Sequence, residues 1–334
     1  MNWLLALAFL PQVLLASSQM TVSGISSGAY MAQQFHTAFS SEVSGVGIVA
    51  GGPYYCAQGQ ALFALNRCMG SSLGSPIPAQ SILVSQMLAS AGLIDPIHNM
   101  ANSKVYVLSG KRDETVVPKV VDAVVETYQL WGVDSKNIRY VNDLNVGHAF
   151  PTVGFGNDCA TPSKSPFISK CGKDVAGEIL EHLNGPLNHK AWPRVERFFV
   201  FNQLSGLNPA EVALANMGQK AFAYVPYGCE YPDANGCSIH IAFHGCKQTI
   251  DHIGSTYITE TGYNAWAEAN RIVVVYPQAV AHPITNPKGC WDWWGYAGPY
   301  YHTKIGIQLK QVYRLVKQLR EGKVELRAST PTSL

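Results

Sequence analysis

Short apolar, β-branched runs that stop at Gly or Pro alternate along this chain with stretches of helical periodicity, and no other feature constrains the fold as tightly. Alternation of this kind marks βαβ units, which bury a mostly parallel sheet between helices on both faces. Residues 20–23 predict a strand, residues 28–40 a helix with Ala32, Phe35 and Phe39 on one face, and residues 46–50 a second strand closed by Gly51-Gly52-Pro53. Residues 104–108 predict a strand ending at Ser109-Gly110, residues 119–131 a helix and residues 138–141 another strand. Residues 175–184 read as helical and 195–201 as extended. The alternation then restarts, with strands at 222–225, 238–243 and 272–276 and a helix at 257–270. A closing helix at 303–320 carries Ile305, Leu309, Val312, Val316 and Leu319 in steps of four and three. With 334 residues, 47% of them hydrophobic, the chain can bury one large core, and no repeat or low-complexity linker divides it.

Met1 to Ala16 are nearly all apolar and are followed by the small residues Ser17 and Ser18, the pattern of a signal peptide without a basic start. The expected layout is therefore a signal peptide at 1–18, one α/β domain at 19–325 and a flexible tail at 326–334. Eight cysteines agree with export to an oxidising compartment, where an even count favours disulfides. Cys56 with Cys68, Cys159 with Cys171 and Cys229 with Cys237 would close short loops, and Cys246 with Cys290 a longer one, although spacing leaves the connectivity open. No Cys or His spacing suits a metal, so neither a metal nor another cofactor is expected. A net charge of +2 with no Lys/Arg cluster argues against a nucleic-acid partner. No segment is long and apolar enough to suggest a membrane span.

Gly24-Ile25-Ser26-Ser27-Gly28 falls between a predicted strand and a predicted helix. In that context G-x-S-x-G is a nucleophile elbow: the glycines permit a sharp turn, and the serine oxygen projects from the sheet edge. The N–H of Ser27, at the helix start, would face a developing oxyanion. A neutral hydroxyl needs a base and an orienting acid, and in α/β-hydrolases these follow in the order Ser, acid, His on loops after later strands. Asp113, beyond the strand at 104–108, fits the acid, with Glu114 as its rival. His148, beyond the strand at 138–141, fits the base, with His244 as its rival.

A strand that ends in His244-Gly245-Cys246 resembles the loop that supplies the second oxyanion donor in esterases, but it lies far beyond Ser26 instead of before it. The order becomes sensible if the fold is circularly permuted. The units from strand 238–243 to helix 303–320 would then normally lead into the elbow, and the Cys246 N–H would partner that of Ser27. A Cys246–Cys290 bridge would stiffen this donor.

Ser23-Gly24-Ile25-Ser26-Ser27-Gly28-Ala29-Tyr30-Met31, Ala50-Gly51-Gly52-Pro53-Tyr54, His244-Gly245-Cys246 and Gly289-Cys290-Trp291-Asp292-Trp293 together resemble the secreted poly(3-hydroxybutyrate) depolymerases of the single-domain, permuted type. The resemblance runs from about residue 20 to residue 320 and keeps the order of the motifs. It implies a circularly permuted α/β-hydrolase fold, a Ser26, Asp113 and His148 triad, Ser27 and Cys246 as oxyanion donors, and four nearest-neighbour disulfides. It also implies a secreted serine esterase acting on a hydroxyalkanoate polyester or its oligomers, and a monomer is expected. Departures lie in the insert between Cys56 and Cys68 and in the charged Arg112 and Glu114 around Asp113. Residues 291–301 are dense in aromatic rings. Trp293 matches the family's substrate-contacting tryptophan, and Trp291 and His244 are the other expected substrate contacts. If the segment is extended, Trp291 and Trp293 are in alternate positions, one ring toward the site and one inward. Two other readings compete: an esterase acting on acetyl or feruloyl groups of carbohydrates, and a non-catalytic binding protein of the same fold.

Overall fold

The computed structural model describes residues 19–329, so the predicted signal segment at 1–18 and the last residues of the predicted tail, 330–334, lie outside the described residues. The strands, in chain order, begin with β1 (Met20–Ile25), β2 (Val43–Val49), β3 (Lys104–Leu108) and β4 (Ile138–Val141). Three short strands follow, β5 (Phe150–Thr152), β6 (Asn157–Asp158) and β7 (Ile168–Lys170). The rest are β8 (Phe198–Asn202), β9 (Lys220–Tyr224), β10 (Ser238–Phe243), β11 (Ile272–Tyr276) and β12 (Arg327–Ala328). Nine of them form one sheet in the order β12-β8-β9-β11-β10-β1-β2-β3-β4, and β5, β7 and β6 form a small second sheet.

From β11 through β10, β1, β2 and β3 to β4 every neighbour is parallel, whereas β9, β8 and β12 add on antiparallel. The parallel strands are covered on both faces, which is why they read as near-continuous apolar runs. Ile272-Val273-Val274-Val275-Tyr276 is buried at every position. Side chains still alternate between two cores. Val105 and Val107 join the larger cluster with helix Ser27–Ala38 and helix Ile307–Arg320, while Tyr106 and Leu108 join a second one with helix Val175–Asn184 and helix Tyr263–Asn270. Burying each such Val or Leu stabilises the fold by roughly 1.5–3 kcal/mol before chain entropy is counted.

β1 sits between β2 and β10, with Met20 opposite Ile239 and Gly24 opposite Phe243. A permuted order of α/β-hydrolase units requires this adjacency, because it sets the elbow strand beside the strand that leads into His244-Gly245-Cys246. All four nearest-neighbour disulfides form, and no cysteine is free.

Three local expectations are revised, and one helix answers to no expectation. The helix predicted at 257–270 is two helices, Thr256–Glu260 and Tyr263–Asn270, because Gly262 between them takes a positive φ of 96°. The closing helix begins at Ile307, so Ile305 lies outside it and is half exposed at 52%. Helix Pro78–Ser90 has apolar residues on several sides, so no helical period announces it. Arg327–Ala328, inside the segment expected to be tail, pairs with β8 at the sheet edge. Among the described residues no helix is long and apolar enough to cross a membrane.

Candidate active site

Four strands end in one row. Ile25 pairs with Val49, Val49 with Leu108, and Leu108 with Val141. The next residues extend the ladder by one step, Ser26 N–H to Val49 O at 3.0 Å, Ala50 N–H to Leu108 O at 2.9 Å and Ser109 N–H to Val141 O at 2.9 Å. The loops that carry Ser26, Asp113 and His148 therefore leave the sheet at the same edge.

Ser26 takes φ 56° and ψ −124°, a strained conformation for a residue with a Cβ. Helix Ser27–Ala38 starts at once, its Ala29 and Tyr30 N–H groups donating to Ser26 O at 2.9 and 3.1 Å. The flanking glycines are steric requirements. A Cβ on Gly24 would lie 2.2 Å from Gly28 O, and one on Gly28 would lie 2.3 Å from Phe243 O. Below the turn, buried side chains tie β1 to β10. His240 meets Thr21 Oγ1 at 2.8 Å and Ser23 Oγ at 2.7 Å, and Ser23 Oγ meets Tyr263 Oη at 2.7 Å.

Asp113 and His148 are both nearly buried and bonded to each other, His148 Nδ1 to Asp113 Oδ2 at 2.8 Å. The other carboxylate oxygen accepts from Thr115 N–H at 2.9 Å and Val116 N–H at 2.8 Å, which fixes the acid's orientation. Lys111 N–H donates to Leu144 O at 2.9 Å and Arg112 N–H to Val146 O at 3.0 Å, so the two loops are laced together. Glu114 points to solvent. With Nδ1–H given to Asp113, the lone pair of a neutral imidazole is left on Nε2, which has no protein partner among the described residues. An imidazole so held can take a proton at Nε2 while the carboxylate steadies the cation that results.

On the other side of Ser26, the turn after β10 comes within contact: a Cβ on Gly245 would lie 3.3 Å from Ser26 Cβ. Within the turn, Gly245 N–H donates to Gln248 Oε1 at 2.7 Å, Lys247 N–H to Lys288 O at 2.7 Å and Gln248 N–H to Gly245 O at 3.2 Å. The Cys246 N–H, like that of Ser27, donates to no protein acceptor among the described residues. Two unpaired donors thus flank the serine, and such a pair can stabilise an alkoxide-like oxygen. The Cys246–Cys290 bridge, with Cα atoms 4.2 Å apart, holds the second donor. Gln248 also donates from Nε2 to Pro166 O and Phe167 O at 3.0 and 3.2 Å, anchoring the turn to the loop before β7. No motif in the sequence singles it out.

Of the three expected substrate contacts, two are fully buried and the third, Trp293, keeps a small exposed surface. His244 is fully buried, donating from Nδ1 to Gly245 O at 2.8 Å and accepting from Ala279 N–H at Nε2 at 3.1 Å, and burial lowers its pKa to about 4. Both ring nitrogens serve the turn, so His244 is neither a substrate contact nor a rival base. Trp291 is also fully buried, packed edge-on against Phe243 at 5.2 Å and behind His244 at 5.4 Å, and offers a substrate no surface. Trp293 keeps only 6% of its surface exposed and stacks on Tyr30 at 4.1 Å, one turn into the helix that begins after Ser26. The two rings join separate clusters, Trp291 the larger core and Trp293 a satellite with Tyr30, Cys56 and Cys68, and both are buried. Asp292 gathers the segment by accepting from the N–H groups of Trp294, Gly295, Tyr296 and Ala297 at 3.2, 2.7, 3.1 and 2.8 Å. Its burial raises the carboxyl pKa to about 6 against the pull of those four donors. Among the described residues no His, Cys, Asp and Glu cluster could hold a metal.

No protein-family model matches the chain. It is 41% identical over 318 residues to the poly(3-hydroxybutyrate) depolymerase of Delftia acidovorans, a match that covers 94% of this chain and 62% of that one. It is 34% identical over 342 residues to the polyhydroxybutyrate depolymerase of Talaromyces funiculosus, covering 96% and 97%. Among solved structures, a PHB depolymerase complexed with an R3HB trimer matches with a TM-score of 0.82 at 33% identity, covering 92% of this chain and 96% of the other. The PHB depolymerase from Penicillium funiculosum matches with a TM-score of 0.81 at 33% identity and the same coverage. The chain spans 62% of the length of the Delftia relative and nearly all of the Talaromyces one.

Proposed function

Because the chain belongs to the poly(3-hydroxybutyrate) depolymerase family, we propose that it hydrolyses ester bonds of poly(3-hydroxybutyrate) and its oligomers through an acyl-enzyme on Ser26. The observation that carries this reading is the buried Asp113–His148 pair at 2.8 Å, on loops that leave the sheet at the edge where Ser26 stands.

His148 Nε2 takes the Ser26 hydroxyl proton as Oγ attacks the ester carbonyl. The carbonyl oxygen becomes an oxyanion held by the Ser27 and Cys246 N–H groups, and Asp113 supports the imidazolium. Collapse breaks the bond to the alkoxy oxygen, which leaves as an alcohol with the proton from His148. Water then attacks the acyl-enzyme, giving its proton to His148, and a second collapse releases the acid and restores Ser26. The chemistry calls on no group outside these side chains and amides. Trp293, stacked over Tyr30, is the ring in this reading that borders the acyl chain.

Four disulfides support secretion, because such bridges persist in oxidising compartments. In the same reading residues 1–18 are a cleaved signal, the domain starts at residue 19 and the protein acts as a monomer. The strand order, with β1 beside β10, supports a permuted α/β-hydrolase.

Replacing Ser26 by Ala tests the proposal. It is expected to abolish release of hydroxybutyrate and its oligomers from an amorphous polymer film, together with hydrolysis of a chromogenic butyrate ester. Surviving activity in Ser26→Ala would overturn the role of Ser26, and release of acetate or ferulate from plant polymer in place of hydroxybutyrate would overturn the substrate.

A further inference from the structure

A groove of about 680 Å³ opens beside the loop that leaves His148, on the face of the sheet covered by helix Val175–Asn184 and helix Tyr263–Asn270. Gln19, just before β1, donates to Leu183 O near the end of helix Val175–Asn184 at 3.1 Å. The start of that helix, with Asp174 in the groove wall, therefore lies toward the end of the sheet where β1 delivers Ser26. One wall is formed by the turn at 152–155, which continues directly from His148 through β5 and presents Val153 and Phe155 to solvent at 52% and 38% exposure. Opposite stands Trp192, 93% exposed.

Trp192 is displayed on a fixed backbone. Ala191 N–H donates to Ala265 O at 2.9 Å and Arg194 N–H to Tyr224 Oη at 2.9 Å, pinning the chain on both sides of the indole. A large ring left in water on an ordered backbone loses little freedom when it binds, and this favours a contact role.

The polar groups say what the ring could meet. Thr152 Oγ1 donates to Phe155 O, Thr259 Oγ1 to Ser255 O and Thr261 Oγ1 to Tyr257 O. Asn264 uses both ends of its amide, on Ile258 O and Tyr276 Oη, and Asp174 and Lys190 pair at 2.9 Å. Side-chain hydroxyls, amide and cation are thus engaged within the protein. The Glu260 carboxylate and the Trp192 indole N–H have no protein partner among the described residues. Two such groups are too few for the directional hydrogen bonding that a sugar needs, and the carboxylate repels an anionic chain end. An uncharged aliphatic ester segment suits the lining: its methyl and methylene groups meet Val153, Phe155, Trp192 and Pro193, and its carbonyls can accept from the indole.

We propose that this groove anchors an interior segment of the polyester chain away from the bond being cut, an inference that rests on the proposed depolymerase function. Adsorption is measured in the Ser26→Ala background by depletion of protein onto amorphous poly(3-hydroxybutyrate) granules, with cellulose as the carbohydrate comparison. Trp192→Ala is expected to weaken adsorption to granules by about tenfold, the loss expected when one large ring forfeits its burial. Trp192→Phe is expected to retain most of it, and cellulose is expected to retain neither variant nor parent. In the otherwise native enzyme, Trp192→Ala is expected to slow film hydrolysis while its turnover of a soluble butyrate ester stays within twofold. Unchanged granule adsorption, Trp192-dependent binding to cellulose, or an equal loss on the soluble ester would each overturn the anchoring groove. Failure of the native enzyme to release hydroxybutyrate at all would instead overturn the depolymerase function.

Discussion

The Asp113 carboxylate meets the His148 imidazole at 2.8 Å with one oxygen while two backbone N–H groups, from Thr115 and Val116, hold the other. The acid is thereby oriented before any substrate arrives, and it selects the histidine tautomer whose Nε2 can accept a proton.

Replacing Asp113 by Asn should preserve packing but disturb that tautomer. By analogy with serine hydrolases, kcat is expected to fall on the order of 10⁴-fold. Butyrate ester kinetics together with a thermal melt check it. A loss smaller than tenfold in a folded variant would remove Asp113 from the mechanism.

The closeness of Gly28 to β10 gives a second test. A Cβ there would lie 2.3 Å from Phe243 O and 2.4 Å from His244 O, so Gly28→Ala must push the elbow away from the turn that carries Cys246. A loss of one oxyanion donor typically costs 10²–10³-fold in kcat, and a fall of about that size is expected. Overpacking should also destabilise the fold by about 1–3 kcal/mol. Steady-state kinetics and urea unfolding measure the two effects separately.

Removing the bridge between Cys246 and Cys290 by a double Ser substitution releases a loop with a sequence separation of 44. Chain-entropy arguments put the stability lost at about 4 kcal/mol. Because the same bridge steadies the Cys246 N–H, kcat is expected to fall along with stability. Urea unfolding at constant pH checks the first effect, and turnover at a temperature where the variant is fully folded checks the second.

Stability should decline in mild acid. Burial holds His36, His240 and His302 near a pKa of about 3 and His244 near about 4. Their folded pKa values lie below the unfolded value, so the unfolded chain binds the extra protons as pH falls from about 6.5 toward 4. Each histidine then removes up to about 1.4 kcal/mol per pH unit over that window. Asp292 works the other way: its folded pKa of about 6 lies above the unfolded value, so its contribution is full below about pH 4 and fades as pH rises through about 6. Four groups against one leave a net loss on acidification. Urea midpoints at pH 7, 6 and 5 should decrease in that order, and His240→Gln should flatten the trend. A pH-independent midpoint would contradict the neutral, buried state of these rings.

Much of the scaffold was legible because its signals are local. The strands at 104–108, 138–141, 238–243 and 272–276 agree with β3, β4, β10 and β11 to the residue. Each is a parallel strand, buried except at the edge strand β4, whose β-branched content and terminal turn residues reflect its own backbone. Boundaries failed where a single conformation intervened, as at Gly262 with φ 96°, or where polarity and burial do not coincide, as in helix Pro78–Ser90, which buries Pro78, Ser81 and Ser85 while Leu83 and Met87 stay exposed. In the aromatic segment Trp291 and Trp293 join separate clusters, but both are buried, and one-residue spacing does not encode how much of either ring stays open.

By itself, the sequence determined the sharp turn at Ser26, because the G-x-S-x-G spacing between a strand and a helix is a local pattern and Gly24 answers a steric demand four residues away, and it narrowed the acid and the base to two candidates each. Only the tertiary structure tells their surroundings apart. Asp113 meets His148 while Glu114 points to solvent, and His244 is locked to Gly245 and Ala279 while the Cys246 N–H, next to the Gly245 that touches Ser26, has no protein acceptor among the described residues. Those surroundings depend on distances between residues remote in the chain, which parallel strand pairing and packing fix and local periodicity does not encode.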